Sequence, residues 1–149
     1  MTTTEKLSLR KDGSHIVACP EEKYEDLLMV KVDNLRSLLN WKSEDIEVFR
    51  SPISHFRMRA NFNLWHDNPS NRSPNGSFFA MFDEENKKIP CEIVDFPRGT
   101  LLINKLMREL KDAFVESTAL FNNCFEVRFV TTCINDIIFK VQIHNQYTK

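Results

Sequence analysis

Glycine is scarce in this chain: Gly13, Gly76 and Gly99 are the only three in 149 residues, and they stand far apart. A dinucleotide-binding turn needs several glycines in one short loop after a strand, and a P-loop needs its own glycine pair ahead of a Lys. Neither is present, nor is a G-x-S-x-G elbow or an H-E-x-x-H pair. The four cysteines, Cys19, Cys91, Cys124 and Cys133, form no C-x-x-C pair, which argues against a zinc ribbon or a thioredoxin-like centre. His55 and His66 fall on opposite parities of one expected strand, so they should not share a metal; no metal site is expected. Nothing reads as a membrane span or a secretory h-region. The expectation is a reduced, cytoplasmic setting with free thiols and no membrane partner. Charge is balanced as well: 20 Lys and Arg against 21 Asp and Glu leave a net −1, so any surface for a polyanion has to be local.

What is present is a core-former. Hydrophobic residues make up 42% and charged residues 28%, and twelve are Phe, a composition that fits one packed domain. The most ordered pattern lies within Glu47–Asp67, EVFRSPISHFRMRANFNLWHD. Phe56, Met58, Ala60, Phe62 and Leu64 alternate with His55, Arg57, Arg59, Asn61 and Asn63, which is a strand with one buried and one wet face. From Val48 to His66 there is no Asp or Glu, so the wet face reads as a basic ridge suited to a phosphate-bearing ligand. The same pattern also describes an ordinary solvated sheet face, and alternation alone does not separate the two.

In chain order, MTTTEKLSLRKD reads as a loose tail, with residues 1–18 outside the domain and 19–149 inside it. A helix is expected from Pro20 to Asn40, with Tyr24, Leu28, Val32, Leu35 and Leu39 as its apolar stripe. Ile46–Arg50 should be a short strand leading into the ridge strand. Asn68–Gly76, dense in Pro, Asn and Ser, is an exposed loop. Ser77–Phe82 and Ile89–Val94 are strands around a polar turn, the second at an edge because Pro90 cannot donate to a ladder. A second helix is expected from about Thr100 to Phe121, with Leu102, Leu106, Leu110, Phe114 and Val115 on one side. A closing hairpin has Phe125, Val127, Phe129, Phe139, Val141 and Ile143 on its apolar face. A loop of Ile134-Asn135-Asp136 sets Cys133 opposite Ile137 and Glu126 opposite His144, and puts Phe125 and His144 together at the open end. The order α-β-β-β-β-α-β-β implies an α+β domain, an antiparallel sheet with two helices packed on one face.

The block EVFRSPISHFRMRANFNLWHD closely resembles the amino-terminal part of the bacterial tRNA uracil-5-methyltransferases, which make 5-methyluridine in the T-loop of tRNA. The likeness continues through IVDFPRGTLLINKLMREL (Ile93–Leu110) and FEVRFVTTCINDIIFKVQIH (Phe125–His144), in the same order. The resemblance implies a longer enzyme whose carboxy-terminal half binds S-adenosylmethionine and carries the cysteine nucleophile and an acid–base carboxylate. None of that half is matched here, so no catalytic residue and no cofactor site is expected in this chain. What is expected is the portion that recognises the tRNA T-arm, inactive alone. Alternatives are a subunit of a split methyltransferase, with a separate chain supplying the cofactor domain, and a non-enzymatic RNA-binding or interaction relic.

The same resemblance implies that Phe125 and His144 stack into the T-loop and that Arg50, His55, Arg57 and Arg59 include phosphate contacts. Strand parity alone would place Phe125 in the core with Val127 and Phe129. Two departures stand out: Asn61 and Asn63 occupy positions that are charged in the bacterial enzymes, and the NPSNRSPNG loop is an insertion.

Overall fold

The computed structural model describes residues 11–40, 46–68, 70, 72–83, 85, 89–122, 124–132 and, for the backbone, 137–142. Among the described residues six strands form one sheet, in the order β1-β4-β3-β2-β5-β6. They are β1 (Lys11–Asp12), β2 (Arg59–His66), β3 (Ser77–Phe82), β4 (Pro90–Glu92), β5 (Glu126–Thr131) and β6 (Ile137–Gln142). Every neighbouring pair is antiparallel except β1 with β4. The helices are α1 (Ser14–Val17), α2 (Tyr24–Leu39), α3 (Leu101–Glu116) and α4 (Thr118–Asn122). The α+β class holds.

Strand β2 lies inside the sheet, and its alternation is realised residue by residue: Ala60, Phe62, Leu64 and His66 are buried, while Arg59, Asn61, Asn63 and Trp65 are exposed. Phe62 is the hub of the core. Its ring meets Phe79 at 5.7 Å, Phe96 at 5.4 Å and Phe129 at 6.0 Å between centroids, the last two edge-on as aromatic quadrupoles prefer. Helix α3 covers this face with Ile103, Leu106, Met107, Leu110 and Phe114. Thr100 caps it by accepting from the Ile103 N–H at 3.2 Å. The single helix expected over 100–121 breaks at Ser117, whose backbone leaves the helical region (φ −128°, ψ 97°) and whose hydroxyl then accepts from the Leu120 N–H at 3.4 Å. The break lets α4 turn Phe121 onto Phe114, 5.8 Å away.

Several expectations change. Residues 11–17 are built into the fold and do not form a loose tail. Lys11 and Asp12 pair with Cys91 and Glu92, the Gly13 N–H donates to the Glu92 carbonyl at 2.9 Å, and Val17 is buried in the core. Gly13 permits this approach, since a Cβ there would lie 2.7 Å from that carbonyl oxygen. Strand β4 is therefore flanked on both sides and is not an edge. Residues 1–10 lie outside the described ones.

The strand expected at Ile46–Arg50 joins no ladder. This segment lies along α2, where the Tyr24 hydroxyl donates to the Ser51 carbonyl at 2.9 Å and Arg50 pairs with Glu25 at 3.2 Å. The ridge strand likewise begins at Arg59 and not near Phe56. His55 takes a left-handed backbone (φ 58°) that turns the chain, and Phe56 and Met58 are left 38% and 40% exposed.

Helix α2 ends where expected, with Asn40 in the left-handed region (φ 51°) closing onto the Arg36 and Ser37 carbonyls. Its apolar stripe, however, is not packed into the sheet. No residue of α2 is buried, and Leu35 and Leu39 are 42% and 41% exposed. Within the described residues the sheet's core face is covered by α3 and α4, with Val17 of α1.

The closing hairpin forms with its register shifted by two residues: Glu126 pairs with Gln142 and Thr131 with Ile137. A shift of two leaves both faces intact, so the apolar pattern could not distinguish it. The connection spans 132–136, longer than the three-residue loop expected.

Candidate nucleic-acid interface

The wet side of β2 is extended by β5. Across the ladder Val130 stands opposite Arg59, Arg128 opposite Asn61 and Glu126 opposite Asn63, and opposed residues share a face. Arg57 reaches the same place by a different route. Its N–H donates to the Arg98 carbonyl at 2.7 Å and its carbonyl accepts from the Thr100 N–H at 3.0 Å, so residue 57 runs beside 97–100 before β2 begins. The result is an open cavity of about 570 Å³ lined by Arg57, Arg59, Asn61 and Arg128, with Met81, Val130, Phe96 and Ala60.

Three arginines thus line one cavity, with no Cys, His, Asp or Glu among its lining residues. Arg128 is partly engaged by Glu126 at 3.0 Å; Arg57 and Arg59 are in no ion pair among the described residues. Such a wall can hold an anion by charge and bidentate hydrogen bonding, and it holds no group suited to moving a proton at neutral pH.

The loop that positions Arg57 is held by two side chains. His55 donates from Nδ1 to the Gly99 carbonyl at 2.8 Å, and its backbone N–H bonds the Pro97 carbonyl at 2.8 Å. Asn104, buried on α3, accepts from the Phe96 N–H at 2.7 Å and donates to the carbonyls of Phe96, Gly99 and Thr100. Gly99 fits under this loop because a Cβ there would meet the Phe96 ring at 2.4 Å.

Of the residues expected to touch RNA, Arg57 and Arg59 are brought together. Arg50 is not: its guanidinium is engaged by Glu25 on α2, through contacts of 3.3 and 3.2 Å. His55 turns its Nδ1 inward as a loop fastener. Phe125 is half-buried and belongs to no core cluster; its carbonyl accepts from the Leu64 N–H at 2.9 Å and the Arg72 guanidinium lies 5.0 Å above its ring. His144 lies outside the described residues.

Two residues at this face were missed. Arg128 joins Arg59 only through the pairing of β5 with β2, which the sequence pattern does not encode. Trp65, 39% exposed on the parity of the ridge, stands edge-on to Phe82 at 5.7 Å. Its parity was the available signal.

His66 and Cys124 are the perturbed groups on the other side of the sheet. His66 Nδ1 lies 2.7 Å from Ser77 Oγ, whose own proton goes to the Ser73 carbonyl at 2.6 Å, so the imidazole donates and its Nε2 is buried without a partner. Burial, with a smaller contribution from the Arg72 charge, holds its pKa below the usual histidine value. Burial alone pushes the Cys124 thiol up to about 11, which keeps it protonated and unreactive. Among the described residues no group of three or more His, Cys, Asp or Glu could hold a metal, and no helix is long and apolar enough to cross a membrane.

Residues 23–149 match the family model for tRNA (uracil-5-)-methyltransferase. The chain belongs to this family. Among curated tRNA/tmRNA (uracil-C(5))-methyltransferases, it is 34% identical to that of Photorhabdus laumondii over 128 residues, 85% of this chain and 33% of the relative. The Pseudomonas fluorescens protein is 38% identical over 122 residues, 81% of this chain and 32% of the relative. That of Actinobacillus pleuropneumoniae is 36% identical over 128 residues, 85% and 34%. The chain therefore spans about a third of the length of the methyltransferases it matches. S-adenosylmethionine, which the family resemblance implies, finds no nucleotide-binding turn at Gly13 or Gly99. Gly13 and Gly99 are packed against Ile93 and Phe96, and neither lines a loop open to a nucleotide.

Proposed function

We propose that this chain is the tRNA-binding portion of a tRNA uracil-5-methyltransferase, holding the T-arm and making no bond itself. The observation that carries the reading is the convergence of Arg57, Arg59 and Arg128 on one cavity without an acidic wall, in a family whose members are named for tRNA. In this reading the arginines meet phosphates and set the position of the RNA, while Phe125, His144 and Trp65 supply ring faces for unstacked bases.

The test is a titration of the 149-residue chain against a labelled T-arm stem-loop at several salt concentrations, with a loop-swapped stem as control. Loop-selective binding with a steep salt dependence supports the reading. Replacing Arg57 or Arg59 with Ala should lower the salt slope by about one ion each. No binding at low salt would sink it.

A second reading, a subunit that works with a separate methyltransferase domain, draws on α2: Leu27, Met29, Val30 and Leu38 are 50%, 63%, 55% and 83% exposed on one helix. Mixing this chain with the carboxy-terminal two-thirds of a relative and measuring 5-methyluridine formation tests it. Activity from the mixture and from neither part alone is the supporting result.

A further inference from the structure

The Asn68–Gly76 loop carries a cation that the arginine cavity does not use. Phe125 stands just before β5 on the parity of Val127 and Phe129, both fully buried, yet it is only half-buried. What lies over its ring is the Arg72 guanidinium, 5.0 Å from the centroid, within the range of a cation–π contact.

The stretch following Arg72 is firmly seated. The Asp67 N–H donates to the Gly76 carbonyl at 2.8 Å, Ser73 Oγ accepts from the Gly76 N–H at 3.1 Å, and Ser77 Oγ donates to the Ser73 carbonyl at 2.6 Å. Arg72 itself is exposed and in no ion pair among the described residues. A ring face orders a guanidinium without neutralising it and offers no oxygen to its five N–H donors. The undiminished charge is felt nearby, since it helps hold His66 neutral. An oriented, charged fork whose donors meet no acceptor among the described residues, beside a half-buried ring, is the arrangement that receives a nucleotide: phosphate on the fork, base against the aromatic surface.

We propose that Arg72, held over Phe125, is a phosphate-binding residue that fixes the RNA strand beside that ring. This rests on the RNA-binding reading of the chain and adds a second anchoring point to the Arg57–Arg59–Arg128 cavity.

The test compares Arg72→Gln and Arg72→Lys with the unaltered 149-residue chain in T-arm stem-loop titrations across a salt series. Arg72→Gln should weaken low-salt binding several-fold and reduce the slope of log affinity against log salt by about one. Arg72→Lys keeps the charge and should keep the slope. Both variants should melt with the unaltered chain, because the side chain is exposed. An unaltered chain that binds with a steep slope, together with an Arg72→Gln slope equal to it, overturns the proposal and leaves the arginine cavity standing. An unaltered chain that does not bind the stem-loop at all overturns both.

Discussion

Asn104 holds the backbone of Phe96 at both ends of one amide: Oδ1 accepts from the Phe96 N–H at 2.7 Å, and Nδ2 donates to the Phe96 carbonyl at 2.9 Å. The same Nδ2 lies within 3.3 Å of the Gly99 carbonyl and 3.1 Å of the Thr100 carbonyl. A helix residue thus fixes the 96–100 loop, and that loop holds Arg57 by its backbone.

Replacing Asn104 with Ala leaves the buried Phe96 N–H without its partner, while the Phe96 carbonyl keeps the Gly99 N–H at 2.9 Å; the orphaned donor costs about 1–3 kcal/mol. Urea unfolding should show the loss as a lower midpoint with an unchanged slope. Arginine-dependent RNA binding should fall with it, because Arg57 is anchored on the loop and not on a strand. A midpoint equal to that of the unaltered chain would mean that the loop is held by other contacts.

Gly99→Ala tests the close approach beneath the same loop. The new methyl would meet Phe96 Cδ1 at 2.4 Å, so the ring has to shift out of its place against Phe62. The expected cost is about 1–3 kcal/mol. Combining it with Phe96→Leu should cost less than the sum of the two single changes, since both act on one contact. Strict additivity in that double-mutant cycle would refute the clash.

His66 gives the fold a one-sided dependence on pH. Protonation is opposed in the folded chain, where the ring is buried near Arg72, and is unopposed in the unfolded chain, where the pKa returns to about 6.5. Above that value the group contributes no pH dependence. As pH falls through it, the unfolded chain takes up the proton first and stability declines until the lower folded pKa is passed. His66→Gln should flatten the decline that sets in as pH falls below about 6.5, read from thermal midpoints. An equally steep decline in that variant would assign the effect to other groups.

Phe125 and Phe129 share a strand parity but should behave differently on truncation. Phe129→Ala removes a fully buried ring in contact with Phe62 and Phe79 and should cost about 3–5 kcal/mol. Phe125→Ala removes a half-buried ring outside the core and should cost clearly less, while weakening stem-loop binding at constant salt slope. Equal destabilisation by both would return Phe125 to the core.

Periodicity carried much of the fold. The two-residue rhythm of β2 points to a buried face that the structure realises, and the spacing of α3 does so for Leu106, Leu110 and Phe114, whereas Val115 is 57% exposed and Ile103 and Met107 take the buried side instead; Pro, Asn and Ser mark the 68–76 loop. What periodicity cannot encode is partnership. The two-residue β1 has too little length for a rhythm, and its parallel pairing with β4 joins residues far apart in sequence. The β5–β6 register is degenerate because pairings two residues apart present identical faces. The stripe on α2 says which side is apolar but not what covers it. Arg57 and Arg59 were legible as neighbours in one strand pattern. Arg128 was not, because it arrives through β2–β5 pairing, and Asn104 was hidden because a polar residue in a helix does not announce whose backbone it will bind.

The sheet order has a mechanical meaning. The first and last described strands, β1 and β6, occupy opposite edges, with the β2 hub between them. Tension applied at the two ends of the described chain therefore loads the strand pairs from the outside inward. The two-residue β1–β4 ladder should peel first, and the longer β5–β6 ladder should yield later. The aromatic centre and the arginine wall on β2 and β5 would give way only after the margins had opened.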